Sequence, residues 1–386
     1  MTAALEIAFF GSSLVSAYWN GAATYYRGIV HALHDRGHRV TFYEPDAYGR
    51  QQHRDIEDPA WARVVVYAGE GEQGVLGALE QARGADVIVK ASGVGVFDEL
   101  LEREVLALRT PSNIVAFWDV DAPATLDRVM GDPADAFRAH IPRYDVVFTY
   151  GGGDPVVRAY GSLGARRCVP IYNALDPSTH HPALPECRFE CDLGFLGNRL
   201  PDREARVEEF FLRPASLLPD HRFLLGGNGW ADKALPPNVT PLGHVYTHEH
   251  NAFNATARAV LNVNRESMAR YGFSPPTRVF EAAGAAACLI TDAWEGVEQF
   301  LEPGREVLVA ANGEAVAAHL ASLTAERARV LGRAAQAHVL SEHTYAHRAV
   351  EVERALDALA VRGAPHVSQH VSRAQRTAVR GAAPAV

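Results

Sequence analysis

The sequence predicts an α/β protein of two parallel-sheet domains that face each other across a cleft. Short apolar runs alternate with helical stretches in both halves, which is typical of βα units whose parallel sheet is covered on both faces. Residues 171–197 interrupt this alternation with three prolines and no helical pattern, as expected at a domain boundary. The length of 386 residues also fits two large domains.

The first half contains a series of apolar runs that we interpret as strands, and a helix that begins near residue 22 and ends at Gly37. In chain order the runs are LEIAFF, RVTFYE, RVVVYA, DVIVKA, NIVAFW and DVVFTY. Ligands bind beyond the carboxyl ends of the strands in open parallel sheets, so the residues that follow these runs are candidates for a binding site. We assign residues 1–172 to the N-terminal domain.

The second half repeats the pattern after a linker at residues 173–190. Its strand-like runs are CDLGFLG, HRFLLGG, RAVLNVN, ACLITD and EVLVA, which assign residues 191–340 to a C-terminal domain. A helix over residues 341–362 could return to the N-terminal domain. Residues 363–386 are predicted to form a disordered tail because they lack a periodic apolar pattern.

Composition and charge narrow the class of protein. The net charge of −9 and the pI of about 6.0 disfavour general binding to nucleic acid or anionic membrane, so no nucleic-acid partner is expected. No apolar run reaches 18 residues, so no membrane span is expected. The first residues lack the basic and apolar regions of a signal peptide. Cys168 and Cys288 read as packed free thiols, and Cys187 and Cys191 are spaced C-x3-C with no second pair to complete a zinc site. A cytoplasmic location is the simplest expectation.

The stretch YGFSPPTRVFEAAGAAACLITD contains the most informative pattern. Ser274 is predicted to cap a helix whose first turn includes Pro275. The start of a helix favours phosphate, and the amides and side chains of Thr277 and Arg278 would be available there. Glu281 lies one turn deeper, where a carboxylate can accept both hydroxyls of a ribose. The stretch therefore predicts half of a nucleotide-diphosphate site, or alternatively an amphipathic helix with a solvent-facing Glu281.

The segment SPPTRVFEAAGAAACLITDAWEGVEQFLEPGREVLVA resembles the C-terminal domain of spore-maturation CgeB-type glycosyltransferases and, more distantly, retaining family-4 glycosyltransferases. YNALDP (172–177) is similar to the segment that opens the linker in that wider group, and FLGNRLPDRE (195–204) resembles the first strand and loop of its donor domain. The resemblance covers about residues 165–350. It implies the GT-B fold, in which two Rossmann-like doubly wound domains and C-terminal helices hold an acceptor on the first domain and a nucleotide sugar on the second.

The resemblance also implies roles for individual residues. Glu281 would hold the donor ribose, while Ser274, Thr277 and Arg278 would face the diphosphate. The other donor residues it implies are Arg199 and Arg203 as phosphate partners, Gly226 and Gly227 at a strand end, His244 and Val245 beside the base, and Asn264 and Arg265 along the cleft. Phe273 stands where family-4 enzymes often have the first acid of an E-x7-E pair, so that acid's role has no matching residue.

The loop GSSLVSAYWNGAAT follows the first strand and lacks the G-x-G-x-x-G pattern of dinucleotide-binding proteins. Its residues Tyr18, Trp19, Asn20 and Gly21 are candidates for contact with the acceptor or the sugar. The alternative is a loop that only packs against its neighbours.

Two acids in the run FWDVDAP, Asp119 and Asp121, are the candidate catalytic groups, because an acid or histidine often stands near this place in the wider family. The alternative role for each is helix capping or a salt bridge.

Three histidines, His244, His248 and His250, are spaced H-x3-H-x-H, but we expect that no carboxylate or cysteine completes a ligand set. GT-B enzymes generally bind the diphosphate with a helix dipole and basic side chains. We therefore expect neither a metal nor another cofactor.

These observations predict a hexosyltransferase-like glycosyltransferase that moves a sugar from a nucleotide diphosphate, with UDP and retention favoured by the resemblance, to an unknown acceptor. Two alternatives remain open. One is a GT-B-shaped nucleotide-sugar 2-epimerase, which would use the same cleft without an acceptor. The other is a non-catalytic relative that binds a nucleotide.

Overall fold

The computed structural model describes residues 4–18 and 20–363. Trp19 lies outside the described residues, as does the predicted tail from residue 364 onward. Gly363 ends a helix, so the last helix extends one residue into the range assigned to the tail. Within the described part of the chain, no helix is both long enough and apolar enough to cross a membrane.

The first domain contains a sheet of seven parallel strands in the order β3-β2-β1-β4-β5-β6-β7. The strands are β1 (Glu6–Phe10), β2 (Arg39–Asp46), β3 (Arg63–Ala68), β4 (Val87–Ala91), β5 (Ile114–Asp119), β6 (Val146–Thr149) and β7 (Cys168–Pro170). The helices are α1 (Ala23–Asp35), α2 (Glu72–Gln81), α3 (Asp98–Ala107), α4 (Ala122–Gly131) and α5 (Gly153–Ser162). Separate apolar cores lie on the two faces of the sheet, so the central strands are buried on both sides.

The second domain contains six parallel strands in the order β10-β9-β8-β11-β12-β13. They are β8 (Leu193–Leu196), β9 (Phe223–Gly226), β10 (Val239–Gly243), β11 (Ala259–Asn262), β12 (Leu289–Asp292) and β13 (Val307–Ala310). The helices are α6 (Glu204–Val207), α7 (Arg213–Leu217), α8 (His250–Thr256), α9 (Glu266–Tyr271), α10 (Thr277–Gly284), α11 (Gly313–Ser322), α12 (Ala325–Glu342) and α13 (Tyr345–Gly363). A π-helical turn, Glu208–Leu212, joins α6 to α7.

The last helix, α13, packs on the first domain. Tyr345, Ala349 and Val352 belong to the same apolar core as the β1 side chains. A Cβ added at Gly28 of α1 would lie 2.2 Å from the Tyr345 ring, so glycine allows this close approach. The chain thus passes between the domains twice. The two passages are bonded to each other, because Leu175 N donates to His343 O at 2.8 Å.

The predicted class of two parallel-sheet α/β domains is confirmed, but two strands were absent from the predicted series. The strand β7 has only three residues, too few to show a pattern. The strand β10 contains Pro241 and is largely exposed because it lies at the edge of its sheet, where proline is tolerated.

Candidate functional site

A cavity of about 470 Å³ lies between the two domains. In each sheet the strand order reverses direction beside the first strand of the domain, which is where ligands bind in doubly wound folds. Ser12 and Gly93 reach the cavity from the loops after β1 and β4, and Arg203 and Arg265 reach it from the loops after β8 and β11. The other lining residues are Asn20, Gly21, Ala22, Tyr25, Arg50, Val120, Asp121, Tyr150, Asn173, Leu200, Met268, Pro276 and Thr277.

The lining of this cleft is electropositive, since Arg50, Arg203 and Arg265 face one acid, Asp121. Arg265 forms ion pairs with Asp121 at 3.1 Å and with Asp202 at 2.6 Å. By contrast, Arg203 has no ion pair with any described residue, and its buried Nε has no hydrogen-bond partner. Burial and the neighbouring Arg265 guanidinium hold the pKa of Arg203 below its usual range. A bound anion would provide the missing partner.

Arg199, the expected main phosphate partner, is not among the cleft residues. Its guanidinium pairs with Asp232 at 2.8 Å and with Glu204 at 2.7 Å. Its donors are therefore already engaged by two carboxylates outside the cleft. Arg203, four residues later in the chain, lines the cleft and is the better candidate for contact with a phosphate.

The helix start is displaced from the predicted position. The helix α10 begins at Thr277, with Pro276 at the cap position and no side-chain cap. Ser274 is buried and donates to Gly272 O at 2.8 Å, so the prediction that it caps the helix is wrong. Thr277 lines the cleft, and the amides of Thr277 and Arg278 have no intrahelical partner, whereas Val279 N donates to Pro276 O. The positive end of the helix therefore faces the same space as Arg203.

Glu281 lies one turn into α10 and is mostly buried, with 11% of its side chain exposed. Burial alone would raise the pKa of this carboxyl, but Arg278, with Nη1 at 3.5 Å, and the nearby His180 and His250 rings hold it below its usual range. No hydrogen bond to the Glu281 carboxylate is formed by the described residues. An ionised carboxylate with open acceptor sites suits a ligand that presents hydroxyl donors.

The histidines do not form the cluster that their spacing suggested. His244 and His248 are exposed and pack against Tyr246, whereas His250 lies beside His180 and Glu281. The expectation that no carboxylate completes a ligand set was therefore wrong, since the fold places Glu281 with two histidines. Burial and the nearby Arg278 lower the pKa of His250 to about 4, so its ring is neutral at pH 7.

Several predicted donor residues have packing roles. A Cβ at Gly227 would lie 2.2 Å from Gly197 O, and one at Gly226 would meet the Leu196 side chain at 2.4 Å, so both glycines allow neighbouring loops to approach. Val245 is buried in the core of the second domain. Asn264 is buried, and its backbone N–H donates to the Asp292 carboxylate. None of these four residues lines the cleft.

The two candidate catalytic acids have different environments. Asp119 is fully buried and accepts hydrogen bonds from Ser92 Oγ, Tyr160 OH and Thr125 Oγ1 and from one backbone amide. Asp119 is therefore a structural hub that does not line the cleft, and its catalytic role stays a prediction. Asp121 lines the cleft, and only its Oδ2 is paired, with Arg265. Asp121 Oδ1 has no partner among the described residues.

The loop after β1 contributes two of its four candidates to the cleft. Asn20 and Gly21 line the cavity, and Asn20 is fixed because its Nδ2 donates to Ser13 O and Ser16 O. Tyr18 stacks on His53 instead, with ring centroids 4.0 Å apart, and it does not line the cavity. Trp19 lies outside the described residues.

Phe273 occupies a constrained position between the domains. Its φ of 45° lies in the left-handed region, its O accepts from Gly152 N at 2.7 Å, and its N donates to Glu295 O at 2.6 Å. A Cβ at Gly153 or Gly296 would lie within 2.7 Å of the Phe273 side chain. Where family-4 enzymes often have an acid, this chain therefore has an apolar side chain packed between two glycines.

The sequence analysis did not identify several cleft residues. Arg50, Tyr150 and Asn173 line the cleft but were not among the predicted site residues. Asn173 Nδ2 donates to Pro275 O at 3.0 Å, which ties the interdomain linker to the segment before α10. Asn173 stands within YNALDP, which the sequence analysis noted only as a linker segment. That motif was the one sequence signal that could have identified Asn173 as a cleft residue.

Comparison with known proteins agrees with this geometry. Residues 203–354, less than half of the chain, match a family described as "Glycosyl transferase-like". No curated protein matches the chain by sequence. A sucrose-phosphate synthase from Thermosynechococcus elongatus has a TM-score of 0.67 and 14% identity, and the alignment covers 93% of this chain and all of that one.

Two further solved structures are similar over 92% of this chain. One is HepE from Anabaena in complex with UDP and glucose, with a TM-score of 0.63, 12% identity and all of its chain covered. The other is an α-glucosyltransferase in complex with UDP and a 13-mer DNA, with a TM-score of 0.65, 12% identity and 99% of its chain covered. The fold is GT-B. The family match over residues 203–354 makes the second half of the chain similar to glycosyltransferases.

Proposed function

We propose that this protein is a nucleotide-sugar glycosyltransferase that binds UDP-sugar on its C-terminal domain and an acceptor on its N-terminal domain. The observation that carries the proposal is the unpaired Arg203 beside the start of α10, with the Glu281 carboxylate one turn deeper. A guanidinium and a helix start suit the diphosphate, and the carboxylate suits the ribose. UDP is preferred because two structurally similar proteins are described with bound UDP.

The reaction would take place where the two domains meet. Arg203 and the α10 amides would stabilise the negative charge that develops on the leaving diphosphate. Asp121 comes from the first domain and faces the same cavity, so its open Oδ1 could accept the proton of an attacking hydroxyl. Asn20 and Gly21 would contact the acceptor or the transferred sugar. Retention, a hexosyl donor and kinship to CgeB-type enzymes remain part of the proposal through the sequence resemblance alone. A cytoplasmic location remains part of it through the cysteine pattern.

Thermal unfolding across a panel of nucleotides and nucleotide sugars tests the binding half of the proposal. A ligand at 100 times its Kd stabilises the folded state by about 2.7 kcal/mol, which is easily measured. We then expect UDP release from the stabilising donor to rise when candidate acceptors are added. A product formed without an acceptor and without release of UDP would indicate the epimerase, and stabilisation without any product would indicate a binding protein.

Replacing Arg203 by methionine is expected to weaken UDP binding roughly 10- to 100-fold, because a charge-assisted contact to phosphate contributes about 1.5–3 kcal/mol. Isothermal titration with UDP and with uridine measures the effect, and uridine binding should change little. Arg199→Met is the matched control, since Arg199 already pairs with Asp232 and Glu204. Equal losses in the two variants would contradict the assignment of Arg203.

Turnover is expected to continue in EDTA, because Arg203 and the α10 amides can neutralise the diphosphate without a cation. The acids Asp119 and Asp121 have D-x-D spacing, but only Asp121 reaches the cleft. Comparing initial rates before and after chelation, with manganese and magnesium added back, measures the dependence. Complete loss of turnover that either metal restores would show that the prediction is wrong.

A further inference from the structure

Three potential metal ligands converge at the wall of the second domain. A ring nitrogen of His180, a ring nitrogen of His250 and a carboxylate oxygen of Glu281 all lie within 4.8 Å of one another. The closest recorded approach joins His180 Nε2 to Glu281 Oε1 at 3.9 Å. His180 Nε2 and His250 Nδ1 are both buried and have no hydrogen-bond partner in the described part of the chain. Two buried, unpartnered nitrogens beside one carboxylate are unusual without a ligand between them.

The hydrogen bonds on the far sides of the rings assign the tautomers. His250 Nε2 lies 3.3 Å from Val245 O, which can only accept, so Nε2 carries the proton and Nδ1 carries the lone pair. With its proton donated to Asp176 O, the Thr179 hydroxyl accepts from His180 Nδ1, 3.0 Å away. In the neutral His180 ring, Nε2 then carries a lone pair, as Nδ1 of His250 does. Both nitrogens lie buried near the Glu281 carboxylate without a hydrogen-bond partner among the described residues.

We propose that His180, His250 and Glu281 bind a divalent cation of the zinc type. Two neutral imidazoles and one carboxylate form a ligand set that Zn²⁺ prefers, with a fourth position left for water. Each imidazole is held from behind by an oxygen acceptor, as metal-ligating histidines usually are. Arg278 faces Glu281 Oε2, so Oε1 remains available for the cation.

The cation is expected to inhibit binding of the donor. Glu281 is also the proposed acceptor of the ribose hydroxyls, and a carboxylate bound to a cation cannot serve both hydroxyls. Zn²⁺ and UDP should therefore compete, and this consequence rests on the proposed function. Cation binding to the nucleotide-free protein does not depend on the proposed function, so the cation site and the proposed function can be contradicted separately. Zinc binding without any UDP binding would support the cation site and contradict the proposed function.

Titration of tag-free, nucleotide-free protein with Zn²⁺ tests the site. We expect His180→Ala and His250→Ala each to weaken Zn²⁺ binding at least about 100-fold, because losing a ligand costs more than the 10- to 100-fold loss seen for outer partners. The matched control is His338→Ala, from the other described group of suitable spacing, His338, Glu342 and His343. There His338 Nδ1 already lies 2.6 Å from a Glu306 oxygen, so that variant should bind Zn²⁺ normally.

Cobalt provides a readout that does not depend on the stability of the variants. Co²⁺ bound to wild-type protein through two imidazoles and a carboxylate should give the visible absorption of a four-coordinate ion, and Zn²⁺ should remove it. The proposal would be overturned if His338→Ala abolished zinc binding while His250→Ala left it unchanged. So would wild-type protein that binds neither metal.

Discussion

Asp121→Asn is expected to lower kcat for UDP release about 10²- to 10⁴-fold, the usual contribution of a positioned acid or base. The substitution keeps the shape of the side chain and removes its capacity to accept a proton. Asp121 lines the cleft, and its buried Oδ1 has no hydrogen-bond partner among the described residues, which leaves that oxygen free to accept one. Initial rates of UDP release at saturating donor, with an acceptor or with water, measure the change.

Two variants separate this role from a structural one. Asp119→Asn should lower the free energy of unfolding by about 1–3 kcal/mol, because an amide cannot accept all the hydrogen bonds that the buried carboxylate accepts. Arg265→Met breaks the interdomain ion pair with Asp121 but leaves the carboxylate in place. If Asp121 only joins the domains, Arg265→Met and Asp121→Asn should reduce kcat equally. That result would contradict a chemical role for Asp121.

The strands of both sheets could be predicted because a buried parallel strand needs apolar residues on both faces. Most of the predicted runs are bounded by glycine, proline or charged residues, and α-helices separate most of them along the chain. The edge strand β10 escaped prediction because one of its faces is solvated and Pro241 weakens its pattern. The short strand β7 gave too few residues for a period. Local pattern therefore predicts central strands better than edge strands.

The site was predictable only in part, because the final roles depend on partners distant in the sequence. Arg199 and Arg203 are basic residues in the same loop. Asp232, 33 residues after Arg199, engages that guanidinium and leaves Arg203 for the cleft. His180 comes from the linker, and no motif links it to Glu281, 101 residues later. Asp119 and Asp121 are two residues apart, yet Asp119 is buried at the end of β5, whereas Asp121, which follows the strand, lines the cleft.

Glu281→Gln is expected to reduce donor binding or kcat/KM by about 2–4 kcal/mol, because hydrogen bonds to a charged acceptor are about twice as strong as neutral ones. The amide keeps one acceptor oxygen and replaces the other by a donor, so it can satisfy only one ribose hydroxyl well. The carboxylate that is lost is ionised in the folded protein, since the Arg278 guanidinium lowers its pKa despite burial. Titration with UDP measures the loss directly.

The matched control is Glu298→Gln, an exposed acid of the same domain, which should change UDP affinity by less than about 0.5 kcal/mol. Repeating both titrations with 2′-deoxy-UDP completes a double-mutant cycle, because the missing hydroxyl removes one partner of Glu281. The loss caused by Glu281→Gln should shrink for the deoxynucleotide if the carboxylate contacts that hydroxyl. Equal losses for the two nucleotides would mean that Glu281 acts through α10 and not through the ribose. The donor site would then depend on Arg203 and the helix start alone.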